Sequence, residues 1–179
     1  MNAQNPNVEV ADRFAGVAQE FCSTVESASR IDRIRLLTDI YCVLPRLIYQ
    51  AISLPSIGAS EVDDPTPEKE QSLSQFRVRM TDDQWRDLYN LLKEKLRDWD
   101  LYWQVFDPTT DKEAACGSLA DDLADIYRDL KDGLVLNEKP LTGPEEAIWQ
   151  WRLLYHDHWG KHAIDALLVT HFRLQGIME

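Results

Sequence analysis

Apolar residues recur at steps of three and four along most of the chain, and this period predicts amphipathic α-helices. The first pattern covers about residues 8–28 and the second about residues 31–53. Pro45 lies inside the second pattern, and because proline interrupts helical hydrogen bonding we expect a kink or a restart near Leu44. No segment shows a sustained alternation of apolar and polar residues, so no sheet is expected.

A long loop and a third helix follow. Residues 55–75 contain prolines and many acids without an apolar period, which predicts an exposed loop. The third helix starts at Thr81, whose hydroxyl can cap the first turn while Gln84 reaches back to complete a capping box. Its apolar positions continue through Trp103 towards Phe106, so we expect one helix up to that point.

Two further helices complete the pattern. Ser118 is the expected cap of the fourth helix, which we expect to end at Gly133. The fifth covers about residues 143–175 and contains Gly160, where a missing side chain can let another helix come close. The predicted fold is therefore all-α: a mostly antiparallel bundle of about five main helices, formed by a single domain over residues 1–179.

Composition and charge narrow the function classes. The 179 residues carry a formal net charge of −12, which repels phosphate backbones. No apolar stretch approaches the roughly 20 residues needed to cross a bilayer, and the first residues do not resemble a signal peptide. The three cysteines form no CxxC pair. We expect a cytoplasmic protein that binds a protein partner or a second copy of itself, and neither nucleic acid nor membrane.

Histidines on the fifth helix are the first candidates for chemistry. At about 100° per residue, His158 and His162 fall on one line with Trp151, so both imidazoles are expected to point inward. Asp165 lies beside that line. A His-x-x-x-His pair on one helix can bind one metal ion, because residues four apart are neighbours on the helix surface.

Acidic residues form a stripe on the fourth helix. Asp122, Asp125 and Asp129 lie within about 60° of one another, beside the apolar face. A metal ion or arginines would relieve their mutual repulsion. The stripe can equally be a solvated acidic face. Alternatively, the imidazoles and carboxylates can pair in a polar network that only fixes helix packing.

Two function hypotheses follow from these alternatives. The favoured one is a non-catalytic protein-interaction module, in which tryptophans such as Trp103 and Trp149 supply either core or a contact patch. The other is a metal-dependent hydrolase acting on a phosphorylated small molecule, where the ion activates a water. No cofactor is predicted beyond the divalent metal ion that this second hypothesis requires. Its candidate ligands are His158, His162, Asp122, Asp125 and Asp165.

Four strings of residues resemble one family. They are LPRL (residues 44–47), YWQVFDP (102–108), SLADDLADIYRDLKDG (118–133) and H-x-H-W-G-x-H (156–162), and the family is an uncharacterised bacterial one catalogued as domain of unknown function 5063. The resemblance covers about residues 12–172 and implies a small, cytoplasmic, all-helical bacterial protein. It implies no activity, cofactor or catalytic residue. The family's motif falls on Asp121, Asp122, Asp125, Tyr127, Arg128, Asp129, His158, Trp159, Gly160 and His162.

Overall fold

The structure is a computed structural model that describes residues 6–57, 80–139 and 143–178. Within these ranges a π-helical turn, Tyr155–Trp159, joins the last two helices into one continuous helical segment. Counted in this way, the bundle of about five main helices is confirmed. In chain order the elements are α1 (Pro6–Glu26), α2 (Arg33–Ile52), α3 (Asp82–Leu96), β1 (Leu101–Gln104), β2 (Ala115–Ser118), α4 (Leu119–Asn137), α5 (Gly143–Leu154) and α6 (Gly160–Met178).

Side-chain caps mark the start of three helices. Asp32 accepts a backbone hydrogen bond from the first turn of α2. Thr81 and Gln84 form the predicted capping box at the start of α3. The Ser118 hydroxyl accepts from the Asp121 N–H at 3.3 Å at the start of α4, also as predicted. These starts depend on local hydrogen bonds to donors that the helix itself leaves unpaired, so short stretches of sequence are enough to predict them.

The central helix of the bundle is α4, which packs against α1, α3, α5 and α6. α4 packs against the fifth helical segment, where Trp151 of α5 donates its Nε1–H to the Leu130 carbonyl at 3.3 Å. Because neighbours surround α4 on several sides, its polar face is buried along with its apolar face. Its fully buried apolar side chains include Leu119, Leu123, Ile126 and Leu130.

Gly133 does not end the fourth helix, contrary to prediction, because α4 continues to Asn137. A Cβ atom at position 133 would lie 2.0 Å from Nε1 of Trp151, so the glycine makes room for the indole where α5 crosses α4. Similarly, α2 runs through Pro45 as one helix and does not restart there. Gly133 was interpreted as a helix end, whereas its close approach to Trp151 determines its role.

The expectation of no sheet is wrong at one place. α3 ends at Leu96, where Arg97 takes a positive φ of 53°. The chain then forms the antiparallel pair β1–β2. The Asp100 carboxylate ties the two strands together by accepting from the Ser118 hydroxyl at 2.8 Å. Trp103, expected on the third helix, therefore lies on β1 with 78% of its surface exposed.

The predicted loop at residues 55–75 lies outside the described residues except for its first three, which form no regular element. None of the described helices combines the length and the apolarity that a membrane crossing requires.

Candidate metal centre

Three buried carboxylates of α4 meet two histidines from the fifth helical segment. Asp122, Asp125 and Asp129 are only 3%, 8% and 6% exposed. His158 comes from the π-helical turn and His162 from the first turns of α6, which packs against α4. Since an unpaired buried charge is very costly, each carboxylate needs a partner.

Each histidine uses its Nδ1 atom to bind a different carboxylate. His158 Nδ1 lies 2.6 Å from Asp129 Oδ2, and His162 Nδ1 lies 2.8 Å from Asp122 Oδ1. An ionised carboxylate can only accept a hydrogen bond, so each Nδ1 carries the hydrogen and donates it. In the neutral ring this leaves Nε2 with a free lone pair, which is the form that binds a metal ion.

Both Nε2 atoms face the third carboxylate. Asp125 Oδ2 lies 3.6 Å from His162 Nε2 and 3.9 Å from His158 Nε2. One ligand atom from each of these three residues lies within 4.8 Å of the ligand atoms of the other two. Neighbouring ligand atoms of a tetrahedral ion are about 3.4 Å apart when its bonds are about 2.1 Å long. The observed spacing is therefore close to that of a three-ligand site before it contracts around an ion.

The second oxygens of Asp122 and Asp125 accept hydrogen bonds from side chains on α3, on β1 and on α4 itself. Asp125 Oδ1 accepts from Trp85 Nε1 of α3 at 3.0 Å and from Arg128 Nη2 at 2.7 Å. Asp122 Oδ2 accepts from the Tyr102 hydroxyl of β1 at 2.7 Å. These contacts fix the carboxylate planes, so that Asp125 presents Oδ2 to the two imidazoles.

Trp85, Tyr102 and Arg128 were missed as site residues by sequence reasoning. Trp85 was assigned to the apolar pattern of the third helix and Tyr102 was considered only as part of the string YWQVFDP, although both types carry a polar group that needs a partner when buried. Arg128 follows Asp125 by three positions, a spacing at which opposite charges pair on a helix. That spacing, together with the position of Arg128 in the family's motif, is the signal that could have identified it.

Burial and neighbouring charges shift the pKa values in this cluster. The hydrogen bond to Asp129 raises the pKa of His158 above its usual value. Burial alone lowers the pKa of His162, but the hydrogen bond to Asp122 and the charge of Asp125 outweigh it, so that this pKa is also raised. Burial raises the pKa of the Asp122 carboxyl. The imidazoles therefore attract protons, or a metal ion in their place.

The π-helical turn positions His158. The Gly160 N–H donates to the Tyr155 carbonyl, five residues back, and a Cβ atom at Gly160 would lie 2.1 Å from that carbonyl oxygen. Gly160 was expected to admit another helix, but it is the helix's own widened turn that requires the glycine. Inserted π turns occur frequently at functional sites, because they re-aim side chains relative to the rest of the helix.

Asp165, the fifth predicted ligand, is not brought into this cluster. Its carboxylate forms an ion pair with Lys161, which also donates to Gln104 Oε1 at 2.8 Å. Among the described residues, a second group of candidate ligands does overlap the first: Asp121, Asp122 and His162. The structure thus brings together four of the five predicted ligands, adds Asp129 as a partner of His158, and places Asp165 elsewhere.

The first group offers three ligands and leaves room for a fourth. Two imidazole nitrogens and one carboxylate oxygen form the ligand set of catalytic zinc sites, in which a water takes the open position. The His158 side chain is 36% exposed, so solvent reaches the cluster. A carboxylate on the far nitrogen of each histidine is also typical of metal sites, because it fixes the ring and increases its basicity.

A second surface feature lies on another side of α6. A groove of about 1000 Å³ runs between β1 with the residues after it and α6. Apolar side chains dominate its walls, and Trp103, Phe106 and Phe172 are 78%, 66% and 62% exposed. Neither His158 nor His162 lines it.

Comparisons with known proteins give the family and the fold. A family model described as "Domain of unknown function (DUF5063)" matches residues 6–174. No curated protein matches the chain. The crystal structure of protein BF1032 from Bacteroides fragilis is similar, with a TM-score of 0.69 and 22% sequence identity over 88% of this chain and 87% of that one. At this identity the likeness shows the shared fold.

Proposed function

The chain belongs to the family described as Domain of unknown function (DUF5063), and we propose that this protein is a metal-dependent hydrolase whose ion is bound by Asp125, His158 and His162. In this proposal Asp122 and Asp129 orient the two imidazoles and do not bind the ion directly. The favoured alternative from the sequence, a protein-interaction module, becomes the second candidate.

The observation that carries the proposal is the direction of the four imidazole nitrogens. Both Nδ1 atoms have a carboxylate partner within 2.8 Å, whereas both Nε2 atoms face Asp125 Oδ2 at 3.6 Å or more, beyond hydrogen-bond length. A network that served packing alone is expected to satisfy both nitrogens of a half-buried ring. Two nitrogens and one oxygen that converge without bonding one another are instead what a three-ligand metal site requires.

The bound ion would supply a nucleophile for hydrolysis. Zn²⁺ lowers the pKa of its bound water to about 7, so a hydroxide is available at neutral pH. With a phosphate ester as the proposed substrate, an ion held by Asp125, His158 and His162 would supply the hydroxide that replaces the leaving group at phosphorus, and the solvent that reaches the cluster would supply the proton for the leaving oxygen. Arg128 lies next to Asp125 with a third of its side chain exposed, where its charge can attract an anionic substrate.

Metal content is the first test. Protein purified without chelator is expected to contain about one Zn²⁺, or another divalent transition metal, per chain by elemental analysis. His158→Gln and His162→Gln should lose the ion. His171→Gln is the matched control, because His171 lies elsewhere on α6, hydrogen-bonded to the Tyr41 hydroxyl at 3.0 Å. A folded wild-type protein that binds no stoichiometric metal, even after addition of Zn²⁺, would show that the cluster is structural.

Activity is the second test. The metal-loaded protein should release p-nitrophenol from p-nitrophenyl phosphate, and both the chelator-treated protein and His162→Gln should lose this activity. Metal binding without hydrolysis of phosphate or carboxylate esters would retain the metal centre and reject the hydrolase.

A specific observation also favours the second candidate, a non-catalytic interaction module. The apolar groove beside α6 exposes large side chains, of which Trp103 is the most exposed at 78%. Contiguous exposed apolar surface rimmed by polar groups is typical of binding sites. Trp103 thus supports the contact-patch interpretation of the tryptophans, and Trp149, at 39% exposed, is intermediate between patch and core.

A further inference from the structure

We propose that the groove between β1 and α6 binds an extended, acidic peptide segment of a partner protein, which adds a third strand to β1. This inference rests on the second candidate function and names its partner. It uses none of the proposed metal ligands, so the two proposals can fail independently.

The pairing of β1 with β2 determines which way the main chain of β1 points. The Leu119 N–H donates to the Asp100 carbonyl at 2.9 Å, and antiparallel pairs alternate between bonded and non-bonded positions. The main-chain groups of Leu101 and Trp103 therefore point away from β2. The Leu101 carbonyl agrees, because it accepts from Arg173 Nη2 of α6 at 2.9 Å.

Within the described part of the chain, the outward edge of β1 is open at Trp103, whereas the Leu101 carbonyl is already bonded to Arg173. β1 and β2 form a two-stranded sheet, and no other strand among the described residues lies beside β1. The N–H and C=O of Trp103 thus face the groove on the side where a further strand would add. Unpaired strand edges are templates for another extended chain, and several peptide-binding domains use an edge next to a helix in this way.

The opposite wall of the groove can receive the side chains of an added strand. Ile164, Leu168 and Phe172 of α6 are 54%, 56% and 62% exposed and line the groove. Alternate side chains of a strand project to one face, so every second residue of a bound peptide would cover this wall. The partner segment should therefore carry aliphatic or aromatic residues at every second position.

The charge of the groove predicts the sign of the charge that the partner segment carries. Among its charged residues the groove has Lys161 and Arg173 against the single carboxylate of Asp165, which leaves one positive charge. The whole chain carries −12. Because charges beyond about 8 Å are screened at physiological salt, a short peptide senses mainly the groove, where acidic residues are favoured. A second copy that docked through the same groove would bring the same net positive charge to the contact, and this disfavours self-association there.

The distance between the two cations sets the length of the segment. Lys161 and Arg173 are twelve positions apart on α6, or about 18 Å along the helix axis. An extended chain covers that distance with about five or six residues. A hexapeptide with apolar residues in alternation and an acid at the end that meets Arg173 would span the groove, because Lys161 at the other end already has Asp165 as a partner.

A peptide selection tests this inference on the full chain. A phage-displayed library of random eight-residue peptides is selected on wild-type protein and counter-selected on Trp103→Pro, and enriched sequences are synthesised. Proline at this position removes the outward N–H without breaking a bond to β2, so the hairpin should persist. Trp103→Phe keeps both the N–H and an aromatic ring and is the matched control.

We expect the enriched peptides to be acidic, with an apolar residue at every second position. Their affinity for the Trp103→Pro variant should be at least about tenfold lower than for the wild type, and their affinity for Trp103→Phe less than about threefold lower. Lys161→Gln should weaken the acidic peptides and leave their amide analogues unchanged. Binding should persist in His158→Gln, which separates this site from the metal centre.

Three results would overturn the proposal: no enrichment over Trp103→Pro, equal affinity for the proline variant, or slow hydrogen exchange of the Trp103 amide in the peptide-free monomer. A dimer in sedimentation that Trp103→Pro dissociates would assign the groove to a second copy instead.

Discussion

Two sides of α6 differ in what they cover. The side that faces α4 buries charged groups, whereas the side that faces β1 leaves large apolar groups exposed. On the α4 side, Asp122, Asp125 and Asp129 are almost completely buried. On the β1 side, large apolar residues such as Trp103 and Phe172 remain mostly exposed. Residue type alone would predict the reverse.

The buried acids and the exposed apolar groups have different physical explanations. The buried acids are tolerated because histidines, Tyr102, Trp85 and Arg128 bind their oxygens, and such pairing fixes atoms in place. The exposed apolar groups of the β1 side remain available to a partner. Tyr102 belongs to both regions, since it lines the groove and donates to Asp122.

The largest expected difference in stability is between substitutions of a buried and of an exposed tryptophan. Trp159 is completely buried behind the π-helical turn, where it contacts Phe14 and Tyr155 and donates to the Trp151 carbonyl at 3.2 Å. Trp159→Ala should lower the free energy of unfolding by about 3–5 kcal/mol. Trp103→Ala should change it by about 0.5 kcal/mol or less, since the side chain is exposed. Urea denaturation of both variants measures the contrast, and similar losses would contradict it.

Substitutions of two acidic residues near the histidines should have different effects on metal affinity. Asp129→Asn removes the negative partner of His158 Nδ1 while keeping the size of the side chain, so we expect Zn²⁺ to bind about 10–100-fold more weakly. Asp165→Asn should change the affinity much less, because Asp165 pairs with Lys161 and belongs to neither group of candidate ligands, although its charge reaches Asp122. Titration calorimetry measures both. An equal loss in the two variants would place Asp165 in the metal site.

A smaller effect is expected where the two regions meet. Tyr102→Phe removes the hydroxyl that donates to Asp122 Oδ2 and leaves the ring in the groove. The loss of one hydrogen bond to a charged group should cost about 1.5–3 kcal/mol of the free energy of unfolding, because the Asp122 carboxylate is buried and loses its partner. Peptide binding in the groove should not change. If it weakens together with stability, the two regions are coupled through this side chain.

The pH dependence of stability should be the smallest effect. The pKa values of His158 and His162 are raised above 6.5 in the folded chain, so folding favours their protonated forms. Their contribution to stability is complete below pH 6.5 and is lost as pH rises through the raised values. Chelator-treated protein should therefore unfold at lower urea concentration as pH increases through this window. The double variant His158→Gln/His162→Gln should lack this part of the dependence.

Local sequence was sufficient for most helices and for their starts. Thr81 with Gln84, and Ser118, act through hydrogen bonds within one turn, so that the capping pattern is a reliable signal. The inward direction of His158 and His162 also followed from helical spacing alone. The four ligand candidates that meet in the structure are those whose positions on two adjacent helices place them on facing sides.

Errors arose where distant contacts decide the structure. Gly133 is required by the indole of Trp151, which is 18 positions later in the chain. The third helix stops near Leu96 because β1 pairs with a strand that begins at Ala115. Helical spacing placed Trp103 on the third helix, since a four-residue strand is too short to show its own period.

The sequence by itself determined the helical class, the family and the two segments that carry the polar residues, because periodicity and caps are local properties of the chain. Tertiary structure alone decided which of these residues are buried and which are exposed. α4 became the centre of the bundle, which turned a stripe of acids with the pattern of a solvated face into buried partners of two histidines. The tertiary structure also placed β1 beside α6 and left Trp103 exposed, because burial depends on which elements pack around a position.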